Sequence, residues 1–108
     1  MTIIDRKLLQ ENSGVCALVD GIQVAVFYLP QEQPQVFAIA NWDPVGEANV
    51  LSRGIVGDMD GELVVASPLY KQHFSLNSGR CLEDDTISVP VYHARLEENA
   101  AVISLHEH

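Results

Sequence analysis

Two Xaa-Pro steps, Asp43-Pro44-Val45 and Ser67-Pro68-Leu69-Tyr70, carry the side chains of this sequence best placed for chemistry. Asp43 and His73, the latter three residues past Tyr70, are legitimate metal ligands, and a facial triad takes two His and one carboxylate. Strand alternation, however, turns His73 away from the face of Phe74 and toward solvent, and Lys71 beside it would repel a cation. Ser67 is a nucleophile only with a base at hand. No Asp-His constellation accompanies it, and no Gly-x-Ser-x-Gly elbow occurs. Neither a Gly-x-Gly-x-x-Gly fingerprint nor a Walker phosphate loop is present, so no site for NAD(P)H or flavin is recognisable. Asp58-x-Asp60-x-Glu62, Glu83-Asp84-Asp85 and Glu97-Glu98 lack the flanking helices of a calcium-binding EF-hand. They read as solvated acids or as a docking face for a basic partner. His106-Glu107-His108 could collect adventitious metal through its imidazoles, but chain ends of this kind are expected to be inert.

The elements that would position these residues are strands. Val15–Val19 runs into Asp20-Gly21 and then Ile22–Leu29, and Asp-Gly between β-rich runs predicts a hairpin with positive φ at both turn positions. Pro30 and Pro34 bound a polar loop, and Gln35–Ala40 is the next strand. A first loop spans Asn41 to Gly54. Short strands follow at Ile55-Val56 and Glu62–Ala66 around the turn Asp58-Met59-Asp60-Gly61, and they deliver the chain to a second loop at Ser67. His73–Leu76, Ile87–Val89, Tyr92–Leu96 and Ala101–Leu105 complete the strand set, and only Arg6–Gln10 hints at a helical turn. Many short strands with regular turns predict an all-β sandwich or small barrel, in one domain spanning 1–108.

Ser67 to Asp84 resembles the second ligand loop of a Rieske domain, whose pattern is Cys-Pro-x-His-Gly-x-x-Phe-x-Leu-x-x-Gly. Pro68, Phe74, Leu76 and Gly79 keep that register. The stretch from Trp42 to Gly54 resembles the first loop, closed by Leu51-Ser52-Arg53-Gly54. The four ligand positions are vestigial, because Asp43, Val45, Ser67 and Tyr70 stand where the family places two Cys and two His. A Rieske centre needs two thiolates on one iron and two imidazoles on the other. The resemblance therefore implies the fold without the cluster. A chain of this length in that condition is similar to the small-subunit family of cytoplasmic, assimilatory NAD(P)H-dependent nitrite reductases. That likeness implies reduction of nitrite to ammonium by a large catalytic subunit bearing FAD, an iron–sulfur cluster and sirohaem. On this chain it implies no cofactor and no catalytic residue.

Without metal, something else must hold the two loops, since ordering a residue costs about 1–2 kcal/mol in backbone entropy. Pro44 and Pro68 lower that cost by restricting the unfolded chain. Trp42, Val45, Leu69 and Tyr70 could pack into an apolar plug in the space of the cluster. Alternatively, Trp42, Asp43, Leu69 and Tyr70 form a partner interface, since large aromatic side chains on loop tips suit binding. A rebuilt ligand site is the third reading.

The chain has 108 residues, 47% apolar and 19% charged, which is ordinary for a globular domain. For a protein of this mass about 6,000 Å² of surface should stay exposed. Fifteen acids against six bases give a net charge of −9, which disfavours nucleic acid and anionic membranes and favours a basic protein surface. No apolar run reaches the roughly 18 residues of a membrane span, and Met1–Lys7 lacks the order of a signal peptide. Cys16 and Cys81 read as reduced, structural thiols, and a cytoplasmic location is expected. Two rivals stand beside the subunit reading. A Rieske ferredoxin requires the missing ligands, whereas a free-standing, cluster-less binding module does not.

Overall fold

The computed structural model describes residues 2–107, with side chains through residue 105. The His106-Glu107-His108 group thus lies outside the described side chains. The architecture is all-β, built from a six-stranded sheet and two smaller ones. Chain order gives β1 (Thr2–Asp5), β2 (Ser13–Val19), β3 (Ile22–Tyr28), β4 (Val36–Ala40), β5 (Trp42–Asp43), β6 (Ala48–Asn49), β7 (Ile55–Met59), β8 (Glu62–Ala66), β9 (His73–Ser75), β10 (Val91–Leu96) and β11 (Ala100–Glu107). The large sheet runs β1-β11-β10-β4-β3-β2, and its curl into a nearly closed barrel brings β1 toward β2. The small sheets are β5-β6 and β7-β8-β9.

Turn chemistry explains both main hairpins. Asp20 and Gly21 adopt φ of 49° and 82°, and Asp60 and Gly61 adopt 53° and 88°, as a two-residue turn with positive φ demands. In the first hairpin Val19 pairs with Ile22, and the register continues to Ser13 opposite Tyr28. All five residues of β4 are buried, so the alternation of its faces does not alternate exposure. The reason is position. β4 lies between β3 and β10, and residues of both its faces, Val36, Ala38 and Ala40 as well as Phe37 and Ile39, belong to the core cluster. Phe27, Leu29, Ile39, Leu51, Phe74, Leu76 and Ile103 are among the side chains that fill the core, each worth roughly 1.5–3 kcal/mol when removed from water. The exposed surface is 6093 Å², in line with the scaling expected for the mass.

Three local expectations change. Thr2–Asp5 is a strand, paired with residues 100–103. The helical turn after it is shorter than Arg6–Gln10, a single 3-10 turn at Arg6–Leu8 started by the Asp5 side chain accepting from the Lys7 N–H at 2.9 Å. Ile87–Val89 is not a strand. Among the described residues it makes one isolated bridge, Ser88 to Arg80, formed by the Val89 N–H donating to the Gly79 carbonyl at 2.8 Å and the Cys81 N–H donating to the Ile87 carbonyl at 3.0 Å.

Candidate functional site

The two loops emerge from the ends of β4 and β8. Asn41, buried at the end of β4, fixes the first of them. Its backbone N–H donates to Gln23 O at 3.1 Å, and its side-chain oxygen accepts from Ser52 N–H at 2.7 Å. Its amide nitrogen donates to Gln23 Oε1 at 3.1 Å and reaches the Cys16 sulfur at 3.5 Å. A second 3-10 turn, Leu51–Arg53, is thereby drawn onto the sheet with Leu51 fully buried. Asn41 was not among the residues singled out in the sequence. Only its place at the strand-to-loop junction hinted at it.

Asp43 follows two residues later and is fully buried. Its Oδ1 accepts from the Val45 N–H at 2.8 Å and the Gly46 N–H at 3.1 Å, and its backbone carbonyl accepts from Glu47 N–H at 2.7 Å. In the second loop, Ser67 is 1% exposed. Its hydroxyl accepts from Leu69 N–H at 3.2 Å, its N–H donates to Gln72 O at 2.9 Å, and its carbonyl accepts from Lys71 N–H at 3.1 Å. The hydroxyl then donates across the gap to Asp43 Oδ2. The two positions where the frame expects cysteine are therefore bonded directly to one another.

The loop-holding contact is polar, and this corrects the picture of an apolar plug. Tyr70 is 67% exposed, and Trp42 and Leu69 are each 45% exposed. Val45 does turn inward against the core. Leu69 lies against Gly46, where a Cβ would overlap the leucine side chain, so the loops touch only because residue 46 has none. A polar solution wins here because the buried carboxyl and hydroxyl satisfy one another and the turn amides, whereas either alone would carry a desolvation cost. Asp43 also differs from the other residues grouped as an interface. Its burial leaves no side-chain surface to offer, and Trp42, Leu69 and Tyr70 form the exposed set.

His73 is half-buried rather than free in solvent. Glu83 accounts for this, as its Oε1 accepts the His73 backbone N–H at 2.8 Å and its Oε2 meets Nδ1 at 2.6 Å. One member of the Glu83-Asp84-Asp85 group is thus engaged within the fold. Cys81 is buried and Cys16 exposed, and both thiols are pushed up, chiefly by desolvation.

A [2Fe–2S] cluster does not fit this donor set. A carboxyl, an isopropyl, an alcohol and a phenol replace two thiolates and two imidazoles, and the carboxyl and alcohol are occupied with each other. Among the described residues, no three His, Cys, Asp or Glu side chains gather where they could hold a metal ion.

Residues 1–104 match the family model described as a Rieske-like [2Fe-2S] domain. Over 87 residues the chain is 55% identical to the nitrite reductase (NADH) small subunit of Salmonella typhimurium, covering 81% of this chain and 80% of that one. The chain belongs to the nitrite reductase small-subunit family. Its fold follows the family closely. The solution structure of the Escherichia coli family member NirD superposes with a TM-score of 0.82 at 44% identity, covering 94% of this chain and 91% of that one. The same domain also occurs inside a longer relative. Over 95 residues, 88% of this chain, it is 38% identical to the nitrite reductase [NAD(P)H] large subunit of Klebsiella oxytoca, of which the match makes up 10%.

Proposed function

We propose that this chain is the small subunit of an NAD(P)H-dependent nitrite reductase in the cytoplasm, supporting the six-electron reduction of nitrite to ammonium during nitrate and nitrite assimilation. It binds the large subunit, which carries FAD, an iron–sulfur cluster and sirohaem, and it holds no cofactor of its own. Trp42, Leu69 and Tyr70 form the docking surface. The carrying observation is that these three apolar side chains stand exposed on two buried, hydrogen-bonded loop bases. Rigid aromatic groups presented this way lose little entropy on binding.

The Klebsiella relative supports the pairing, since a domain like this one is there part of the large-subunit polypeptide. Covalent linkage of that kind replaces a bimolecular encounter with a high effective concentration. The net charge of −9 adds a preference for a basic partner surface.

The test is co-purification of the tagged chain with the large subunit, read by flavin and sirohaem absorption. Trp42→Ala and Tyr70→Ala should each weaken assembly by about tenfold or more, the usual effect of losing an interface anchor. A chain that assembles with no flavin- and sirohaem-coloured partner would instead be a free-standing binding module.

A further inference from the structure

The frame and its donor set disagree, and the contacts between the loops give that disagreement a mechanical meaning. In a cluster-bearing domain of this shape the metal ties the loops together. Here Asp43 and Ser67, at two of the four ligand positions, tie them without it. We propose that the Asp43–Ser67 pair is a metal-free clasp that presets the spacing of the two loop tips and so builds the Trp42–Leu69–Tyr70 surface. The clasp itself is a property of the chain alone; only its effect on docking rests on the reading above.

Three features make the pair a coupling device and not two separate turn caps. Each residue is oriented by its own loop: Asp43 by the amides of Val45 and Gly46, Ser67 by those of Leu69 and, through its carbonyl, Lys71. Both are buried, at 0% and 1% exposure, so water offers no replacement partner when the bond breaks. Leu69 seats against Gly46 immediately above the bond, so displacing either loop disturbs the other. Asp43 and Ser67 are positioning residues in this account, acting on the docking surface through the loops they join.

Amide hydrogen exchange of the whole chain, followed residue by residue by NMR, tests the coupling. Ser67→Ala should speed exchange at Val45 and Gly46, in the opposite loop, by about tenfold or more, while core amides of β3 and β4 keep their rates. Asp43→Ala should do the same at Leu69. Asp43→Asn keeps an acceptor for the turn amides, and its amide group can bond to the Ser67 hydroxyl. It should therefore restore slow exchange at Leu69, and it carries the test if Asp43→Ala does not fold. EDTA with dithionite should leave the wild-type rates unchanged. Effects confined to the substituted loop, or loosening of the wild-type loops by the chelator, would overturn the clasp.

Affinity for the purified large subunit separates the two proposals. Ser67→Ala should lower it by about tenfold in step with the loosened loops. Loosened loops with unchanged affinity would uphold the clasp and sink docking through the loop tips. Lost affinity with both loops still slow to exchange would sink the clasp.

Discussion

Glu83 grips His73 with both oxygens of one carboxylate, the backbone N–H at 2.8 Å and the ring Nδ1 at 2.6 Å. A carboxylate only accepts, so Nδ1 carries the hydrogen in this contact. The pair joins the start of β9 to the segment after Cys81, whose own sulfur lies 3.6 Å from Glu83 Oε1. Desolvation pushes the Glu83 pKa up, but the hydrogen bonds from His73 and the electrostatic attraction between the two outweigh it. The carboxyl is held below its ordinary value.

A depressed folded-state pKa means that Glu83 contributes stability above the unfolded-state value of about 4.3. That contribution disappears as the pH falls through the folded-state value. Glu83→Gln should therefore lower stability at pH 7 and cease to matter in acid. Because the side chain is 43% exposed, the effect should stay below about 1 kcal/mol. Urea unfolding of both proteins across the acid range measures it. An equal gap at both ends of the range would remove Glu83 ionisation from the account.

Asn41 should prove costlier than its ordinary appearance suggests. Asn41→Ala leaves the part-buried Ser52 amide without its acceptor and removes the buried donor that the Gln23 side chain accepts from. A loss of about 1–3 kcal/mol is expected from chemical denaturation. Leu51 should also become more exposed, readable as faster exchange of the Leu51 and Ser52 amides.

Gly46→Ala tests the closeness of the loops. The added methyl would overlap Leu69 and come within 3.1 Å of Asp43 Oδ2, so a loss of about 1–3 kcal/mol is expected. Pairing it with Leu69→Ala, which opens the space, should recover part of the loss. Simple additivity of the two changes would mean that the side chain at 69 does not lie where it is described.

The cysteines should differ sharply in reactivity. Cys16 is exposed and Cys81 buried, and the thiolate rather than the thiol reacts. One thiol should modify in the native protein, slowly at neutral pH because its pKa is raised, chiefly by desolvation. The second should react only with unfolding. Mass spectrometry after brief alkylation with and without urea distinguishes the sites, and native labelling of Cys81 would contradict its placement.

Much of the barrel was legible because its signals are local. Asp20-Gly21 and Asp60-Gly61 need only their own φ values to define a hairpin. The Pro68, Phe74, Leu76 and Gly79 frame likewise stands in a single stretch. The strand β1 was hidden because Thr2–Asp5 acquires its partners from the far end of the sequence. The loss of metal ligands could be read residue by residue, but the bond that joins Asp43 to Ser67 could not. Each residue reads as a turn former on its own, and only the folded sheets bring them together. The apolar plug failed for the same reason. Side-chain size suggested it, while burial, which the sequence does not print, chose the polar pair.

The pairing of Thr2 with Ile103 also has a consequence for how the protein is made. β1 is synthesised roughly a hundred residues ahead of its hydrogen-bonding partner in β11. At a synthesis rate of roughly 5–20 residues per second, the first strand waits about 5–20 s with its edge unsatisfied. Neither β1 nor the sheet edge reserved for it can be completed until residues 100–103 have been made, so the barrel closes late in the synthesis of this domain.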